Sequence, residues 1–209
     1  MSFTLETIPA LQITDPILTQ CATLFSTAYG IWGPHAEQKI GKHCKHGKQI
    51  RLSVERPHMH GDELAGYAFA TRWMYEVRGI CWVTQLCVRV EYRRKGLATE
   101  LLSRLCEDED YAFGILSSHL AAIMAGLRAW GKGIESVDMN LVKECGAGIM
   151  AASPVQYVRE AKLRGSLFGS VDDGTVCCAA TLTEVMERGE WPFGELPEGC
   201  EFLALIQGV

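Results

Sequence analysis

The chain has no apolar run long enough to cross a bilayer, no internal repeat, no low-complexity tract and no surplus of positive charge. Each absence excludes something. A membrane-spanning helix needs about 20 consecutive apolar residues, and no stretch supplies them, so no membrane partner is expected. The opening MSFTLETIPALQITDP lacks the basic n-region and apolar h-region of a secretory signal, which points to a cytoplasmic protein. A formal net charge of -5 leaves no general basic face, so nucleic acid is not an expected partner. Nine cysteines, an odd number with no CxxC spacing, argue against a disulfide framework and for reduced, buried thiols.

What is there is an ordinary globular composition: 209 residues, 48% hydrophobic and 22% charged, enough for one domain with a sizeable core. Residues 3–9 alternate like an edge strand. DPILTQCATLFSTAYGIW predicts a helix with Asp15 as N-cap, Pro16 at its first position and Ile17, Cys21, Leu24 and Phe25 at helical spacing. QIRLSVE (Gln49–Glu55), LAGYAFATRW and ICWVTQLCV read as three strands of an antiparallel meander, with RPHMHGDE as a turn. After Gly96 the period changes to helical, with Leu97, Ala98, Leu101, Leu102 and Leu105 on one face. YAFGILSS then predicts a strand and HLAAIMAGLRAW a helix closed by Gly131, giving strand–helix–strand–helix with a right-handed crossover. Beyond Gly133 the expectations are a short strand at ESVDMNL, a helix at SPVQYVREAKLRG capped by Ser153, a strand at TVCCAATL and a terminal strand at CEFLALIQ. A single α/β domain over 1–209 with a mixed sheet follows.

The most informative stretch is LCVRVEYRRKGLATELLSRL, Leu86 to Leu105, where a strand runs through a basic cluster into a glycine and then a helix. Backbone N–H groups at such a junction carry partial positive charge and suit a phosphate or pyrophosphate. Glycine lets the ligand approach the backbone. Arg93, Arg94 and Lys95 add a screened attraction to outlying phosphates.

The spacing Arg93-x-x-Gly96-x-Ala98, with Leu86-Cys87-Val88 ending the strand, Glu91-Tyr92 before the Arg, and Leu101-Leu102 in the helix, resembles motif R/Q-x-x-G-x-G/A of the GCN5-related N-acetyltransferases (GNAT). The resemblance covers roughly residues 63–130. It implies a GNAT-type mixed, largely antiparallel sheet flanked by helices, with two splayed central strands. It also implies acetyl-CoA as cosubstrate: the backbone of Leu86, Cys87 and Val88 would meet the pantetheine arm, and Arg93, Arg94, Lys95, Gly96, Leu97, Ala98 and Thr99 would wrap the pyrophosphate. Ser118 or His119 stands where the family often has Asn at the next helix. The family's Tyr is missing there, with Ala125 and Gly126 at its place.

Acetyl transfer to an amine requires a deprotonated amine, donors for the oxyanion and a thiolate able to leave. By the resemblance, an N–H of Cys87 or Val88 would face the oxyanion. Gln85 stands where a Glu often acts as base; it cannot take a proton but can orient a water or the acceptor. His119 is the titratable group placed to act as base, or else a helix-start histidine facing solvent. Tyr157 either offers its hydroxyl proton to the leaving thiolate or packs in the core. His58 and His60 either border the acceptor pocket or sit on a surface turn. His43, Cys44 and His46 are too close together for a tetrahedral site and no second cluster completes them, so no metal is expected. The segment 133–174 exceeds what a minimal GNAT needs and reads as an insert that caps the acceptor site or meets a second subunit, as in a homodimer. The resulting expectation is an acetyl-CoA-dependent N-acetyltransferase acting on a small primary amine by direct attack. The alternatives are a GNAT-fold acyl-CoA-binding or sensing module without turnover, and a protein or peptide N-acetyltransferase.

Overall fold

In the computed structural model the described residues are 4–29, 56–60, 63–131, 133–134, 139–163 and 201–208. The longest regular feature is a hairpin, β3 (Glu63–Tyr75) and β4 (Arg78–Val88), joined by Glu76 and Val77 alone. Both joining residues lie at positive φ, 46° and 63°, the pattern of the two-residue turn whose twist matches that of the strands. Contacts divide the chain into two units, Met1–Thr71 with Val83–Leu105, and Arg72–Trp82 with Cys106–Val209. Both strands of the hairpin contribute to each.

In the first unit the hydrogen-bonded strand order is β1 (Thr4–Leu5), β2 (Arg56–His60), β3, β4. β1 pairs antiparallel with β2, Thr4 opposite Met59 and Leu5 opposite His58. β2 pairs antiparallel with β3 from Arg56 opposite Ala68 to His60 opposite Glu63, with a register irregularity between His58 and Met59. This corrects the turn expected at RPHMH. The proline that suggested a turn is tolerated because β1 is only two residues long, which leaves Pro57 on an edge where its missing N–H costs no ladder bond. The strand expected at Gln49–Glu55 lies outside the described residues.

α1 (Asp15–Ala28) starts one residue earlier than expected: Thr14, extended at φ -94° and ψ 157°, is the N-cap, and Asp15 is a first-turn acid favourable to the helix dipole. Its buried face, Cys21, Ala22, Leu24 and Ala28, packs on Leu64, Tyr67, Phe69 and Cys87. Burying one such leucine contributes about 1.5–3 kcal/mol. β4 leads through one 3₁₀ turn (Val90–Tyr92) to α2 (Leu97–Ser103), whose Leu97, Leu101 and Leu102 are buried.

In the second unit the order is β3, β4, β5 (Asp110–Ser117), β6 (Phe202–Gln207). β5 and β6 pair antiparallel from Ala112 opposite Gln207 to Ser117 opposite Phe202. β5 is apolar on both faces, as a strand covered on both sides must be. α3 (Leu120–Ala129) is closed by Gly131 at φ 73°. One face of β5 carries Phe113, stacked on Trp130 at 5.3 Å. The other carries Ala112, which joins Ile80, Trp82, Leu203 and Leu205 in a core with Leu141, Val142, Ile149, Met150 and Val158 from α4 (Met139–Ala151) and α5 (Gln156–Glu160). α4 replaces the strand expected at ESVDMNL as far as residues 139–141 are concerned. α5 is shorter than expected and has Val155 as N-cap; Ser153 is buried and its Oγ accepts from the Val155 N–H at 3.1 Å, bending the chain before the helix.

Arg72 and Asp110 make a two-pronged ion pair at 2.9 Å through each prong, with Glu107 at 3.2 Å from the same guanidinium. The Asp110 carboxylate is almost fully buried and also accepts from the Glu107 N–H. Among the described residues no helix is long and apolar enough to cross a membrane. No group of three or more His, Cys, Asp or Glu side chains suited to a metal occurs among them either. His43, Cys44, His46 and the strand expected at TVCCAATL lie outside the described residues.

Candidate active site

The bend between β4 and α2 is built from the sequence upward. Arg94 and Gly96 sit at positive φ, 58° and 83°, with Gly96 as the N-cap of α2. Residues 93–96 are exposed, Ala98 and Thr99 are partly so, and Leu97 is buried as the anchor of the helix. The Tyr92 and Arg93 amides bond back to Arg89 and Val90, and Gly96 O receives the Glu100 N–H at 3.0 Å. Among the described residues, no carbonyl outside the helix accepts from the amides of Arg94 to Thr99. A Cβ on Gly96 would meet nothing within 4 Å, so the glycine answers to its φ and leaves an open approach. Successive amides around left-handed residues form a concavity suited to an anion.

The three basic side chains differ. Arg93 is occupied: its Nε donates to Val88 O at 3.0 Å and its Nη2 to Ala28 O at the end of α1. Lys95 Nζ lies 5.4 Å from the Tyr92 ring centroid, a cation–π contact at an exposed position. Arg94 is exposed.

On β4 itself, Leu86 and Val88 are partly buried and Cys87 is buried. The Cys87 thiol points to Leu24 O at 3.8 Å. Burial pushes it up to about 12, against a smaller opposing effect of Arg93. Such a thiol is not a nucleophile near neutral pH. Gln85 is half-buried and its Oε1 accepts from the Tyr67 hydroxyl at 3.1 Å. Tyr67 is fully buried; burial first, then Cys87, Cys21 and Tyr29, hold its phenol far above the ordinary range, so it stays a donor. Sequence reasoning missed Tyr67, because nothing in the spacing links a tyrosine to a glutamine 18 residues on.

In the second unit Ser118 and His119 occupy the junction from β5 to α3. His119 is the exposed N-cap of α3, extended at φ -93°, and its N–H donates to Ser117 Oγ at 3.0 Å. Ser118 is partly buried, and Ala125 and Gly126 lie buried in α3, against Trp130 in the case of Gly126. Tyr157 is on α5 at 36% exposure, outside the core in which it was the alternative to expect it. His58 and His60 belong to β2, not to a surface turn.

A search of curated proteins gave no match. Among solved structures the chain is similar to an aminoglycoside acetyltransferase from an uncultured soil metagenomic sample, at 19% identity and a TM-score of 0.40 over 56% of this chain and 80% of that one. It is also similar to the ribosomal-protein-S18-alanine N-acetyltransferase of Escherichia coli, at 16% identity and a TM-score of 0.37 over 59% and 74%. A third is a probable N-acyltransferase from Enterococcus faecalis, at 12% identity and a TM-score of 0.40 over 63% of this chain and 32% of that one. The assignment itself comes from a family model, the acetyltransferase (GNAT) family, matched over residues 19–131. That match spans more than half of the sequence and includes most of α1, the hairpin, the Gly96 bend and α3, so the chain belongs to the GNAT acetyltransferase family.

Proposed function

We propose that the protein is an acetyl-CoA-dependent N-acetyltransferase that transfers an acetyl group to a primary amine of a small molecule by direct attack. The observation that carries the reading is the exposed Gly96 bend, whose amides from Arg94 to Thr99 have no acceptor outside the helix among the described residues, within a chain of the acetyltransferase family. The residues present fit the cosubstrate: an open approach over Gly96, a concave set of amide donors, and the cations Arg94 and Lys95 at its rim.

Bound acetyl-CoA supplies an acetyl group already activated as a thioester. The chain's task is then to hold, orient and deprotonate. The amides of Arg94 to Thr99 hold the pyrophosphate, and the backbone of Leu86, Cys87 and Val88 holds the pantetheine arm. The buried Cys87 thiol takes no covalent part, which favours direct attack by the amine. Gln85, fixed at its oxygen by Tyr67, orients a water or the acceptor through its amide nitrogen. His119, exposed at the start of α3, is the base in this reading, and Ser118, the residue before it, is assigned to binding the donor. Tyr157, exposed on α5, carries the hydroxyl that returns a proton to the leaving thiolate in this reading.

The test is thiol release from acetyl-CoA across a panel of polyamines, amino acids, aminoglycosides and peptides. Turnover with small amines but not peptides is expected. Peptide-only turnover would make the protein a peptide acetyltransferase. Tight acetyl-CoA binding without thiol release would make it a binding module, the reading that the glutamine at position 85 and the tyrosine-free α3 favour. Gly96→Trp should weaken acetyl-CoA by at least about tenfold, while Gly96→Ala, which carries the same left-handed strain without the bulk, should bind more nearly as the parent does. Unchanged affinity in Gly96→Trp would contradict the placement.

A further inference from the structure

We infer that Arg93 is a positioning residue and not a phosphate ligand: its guanidinium clamps the last turn of α1 to the end of β4 and so holds the bend that follows. The inference rests on the donor-site reading above but reassigns the most conspicuous cation in it.

The argument begins at the end of α1. A helix leaves its last carbonyls without intrahelical donors, and a cation there also meets the negative end of the dipole. α1 has no basic residue in its last turn. Phe25 O is satisfied by the Tyr29 N–H at 3.0 Å, but Ala28 O lies one turn further on, beyond reach of the helix's own donors. Arg93, 65 residues away in sequence, donates Nη2 to it. The same guanidinium donates Nε to Val88 O, the last residue of β4. One planar fork therefore spans two elements, with donors set at a fixed angle that a lysine cannot reproduce. A second tie lies alongside, the Cys87 thiol directed at Leu24 O in the preceding turn of α1.

Nothing acidic is needed to explain the arginine, since two of its five N–H donors already point at carbonyls. The attraction for outlying phosphates falls to Arg94 and Lys95. Disturbing the clamp would loosen α1's last turn and the start of the bend together, so a change at Arg93 should weaken the donor without altering how salt affects binding.

The experiment compares Arg93→Lys, Arg93→Gln and Lys95→Gln, each checked for an unchanged far-ultraviolet spectrum. The first readout is amide hydrogen exchange of peptides covering residues 25–29, with no coenzyme present. Loss of one charge-assisted bond should speed exchange there by about tenfold in both Arg93 variants and leave Lys95→Gln like the parent. The second readout is coenzyme A affinity by calorimetry at low and high salt. Arg93→Lys should weaken binding severalfold with the parent's salt dependence intact, whereas Lys95→Gln should flatten that dependence. If Arg93→Lys binds as the parent does while Arg93→Gln loses salt dependence, Arg93 is a phosphate ligand and the inference is overturned. Faster exchange with unchanged affinity would also overturn it, because the clamp would then position nothing. If the parent itself fails to bind coenzyme A, the donor-site reading falls, while unchanged exchange in the Arg93 variants would sink the clamp by itself.

Discussion

Gly114 of β5 has no room for a methyl group. A Cβ built on it would stand 2.1 Å from Trp82 Cε3 and 2.4 Å from Cζ3, inside a fully buried indole that also packs near Trp73 at 5.7 Å. An aromatic ring on a strand cannot yield as the tip of a lysine does, so strand and ring must part. Gly114→Ala is therefore expected to destabilise the protein by about 3 kcal/mol, the upper end of the usual overpacking cost. Denaturant unfolding measures this, and a loss below about 1 kcal/mol would show that the core yields instead. At this scale the sequence was informative where the cause is local. Gly96 was legible as the glycine of a turn before a helix, because a turn and a helix start are decided within a few positions. The partners of Gln85 and Arg93 were not, because each is brought in by a different element: Tyr67 from β3, and Ala28 from α1.

Among the elements, the β3–β4 turn carries visible strain. Val77 is β-branched, 92% exposed and at φ 63°, so nothing in its surroundings compensates for a conformation that valine resists. Replacing Glu76-Val77 by Asn-Gly keeps the turn geometry with residues that adopt it readily, and should stabilise the fold by roughly 1–2 kcal/mol. A rise in the thermal midpoint checks it; a fall would mean that the exposed tip is held by something other than local geometry. The strands and the helices around the Gly96 bend were legible because their apolar period is clean and their ends carry glycine or proline. α4 was not. Its sequence, MNLVKECGAGIMA, holds two glycines, and glycine lowers helix propensity by about 1 kcal/mol each. Packing explains one of them: a Cβ on Gly148 would stand 2.5 Å from the Tyr75 hydroxyl oxygen, whereas one on Gly146 would make ordinary contact with Leu163 at 3.4 Å. Gly148, one of the two that hid the helix, is what lets α4 lie close to Tyr75. β2 was hidden in the same way, since Pro57 and two histidines read as a turn until β1 and β3 are seen to flank it.

For the molecule as a whole, buried thiols set a limit at alkaline pH. Cys21 is pushed up to about 12 by burial and, secondarily, by Cys87, and Cys87 is pushed up to about 12 by burial; Tyr67 moves in the same direction. In the unfolded chain a thiol ionises near its ordinary value of 9.0. The folded protein thus keeps protons that the unfolded chain releases. The stability they represent is fully present below pH 9 and declines between pH 9 and pH 12, by at most about 1.4 kcal/mol per pH unit for each thiol. Denaturation midpoints from pH 8 to pH 11 should fall in the parent and fall less in Cys21→Ala. A level profile in the parent would refute the account.

Among the described strands the pairing of β5 with β6 reaches furthest along the chain, since even Ser117 and Phe202 are 85 backbone steps apart. During synthesis β5 emerges long before its partner strand. Until residue 202 and its successors leave the ribosome, an apolar strand offers one unpaired edge to any neighbour, so the nascent protein passes through an interval in which shelter by a chaperone decides between folding and aggregation.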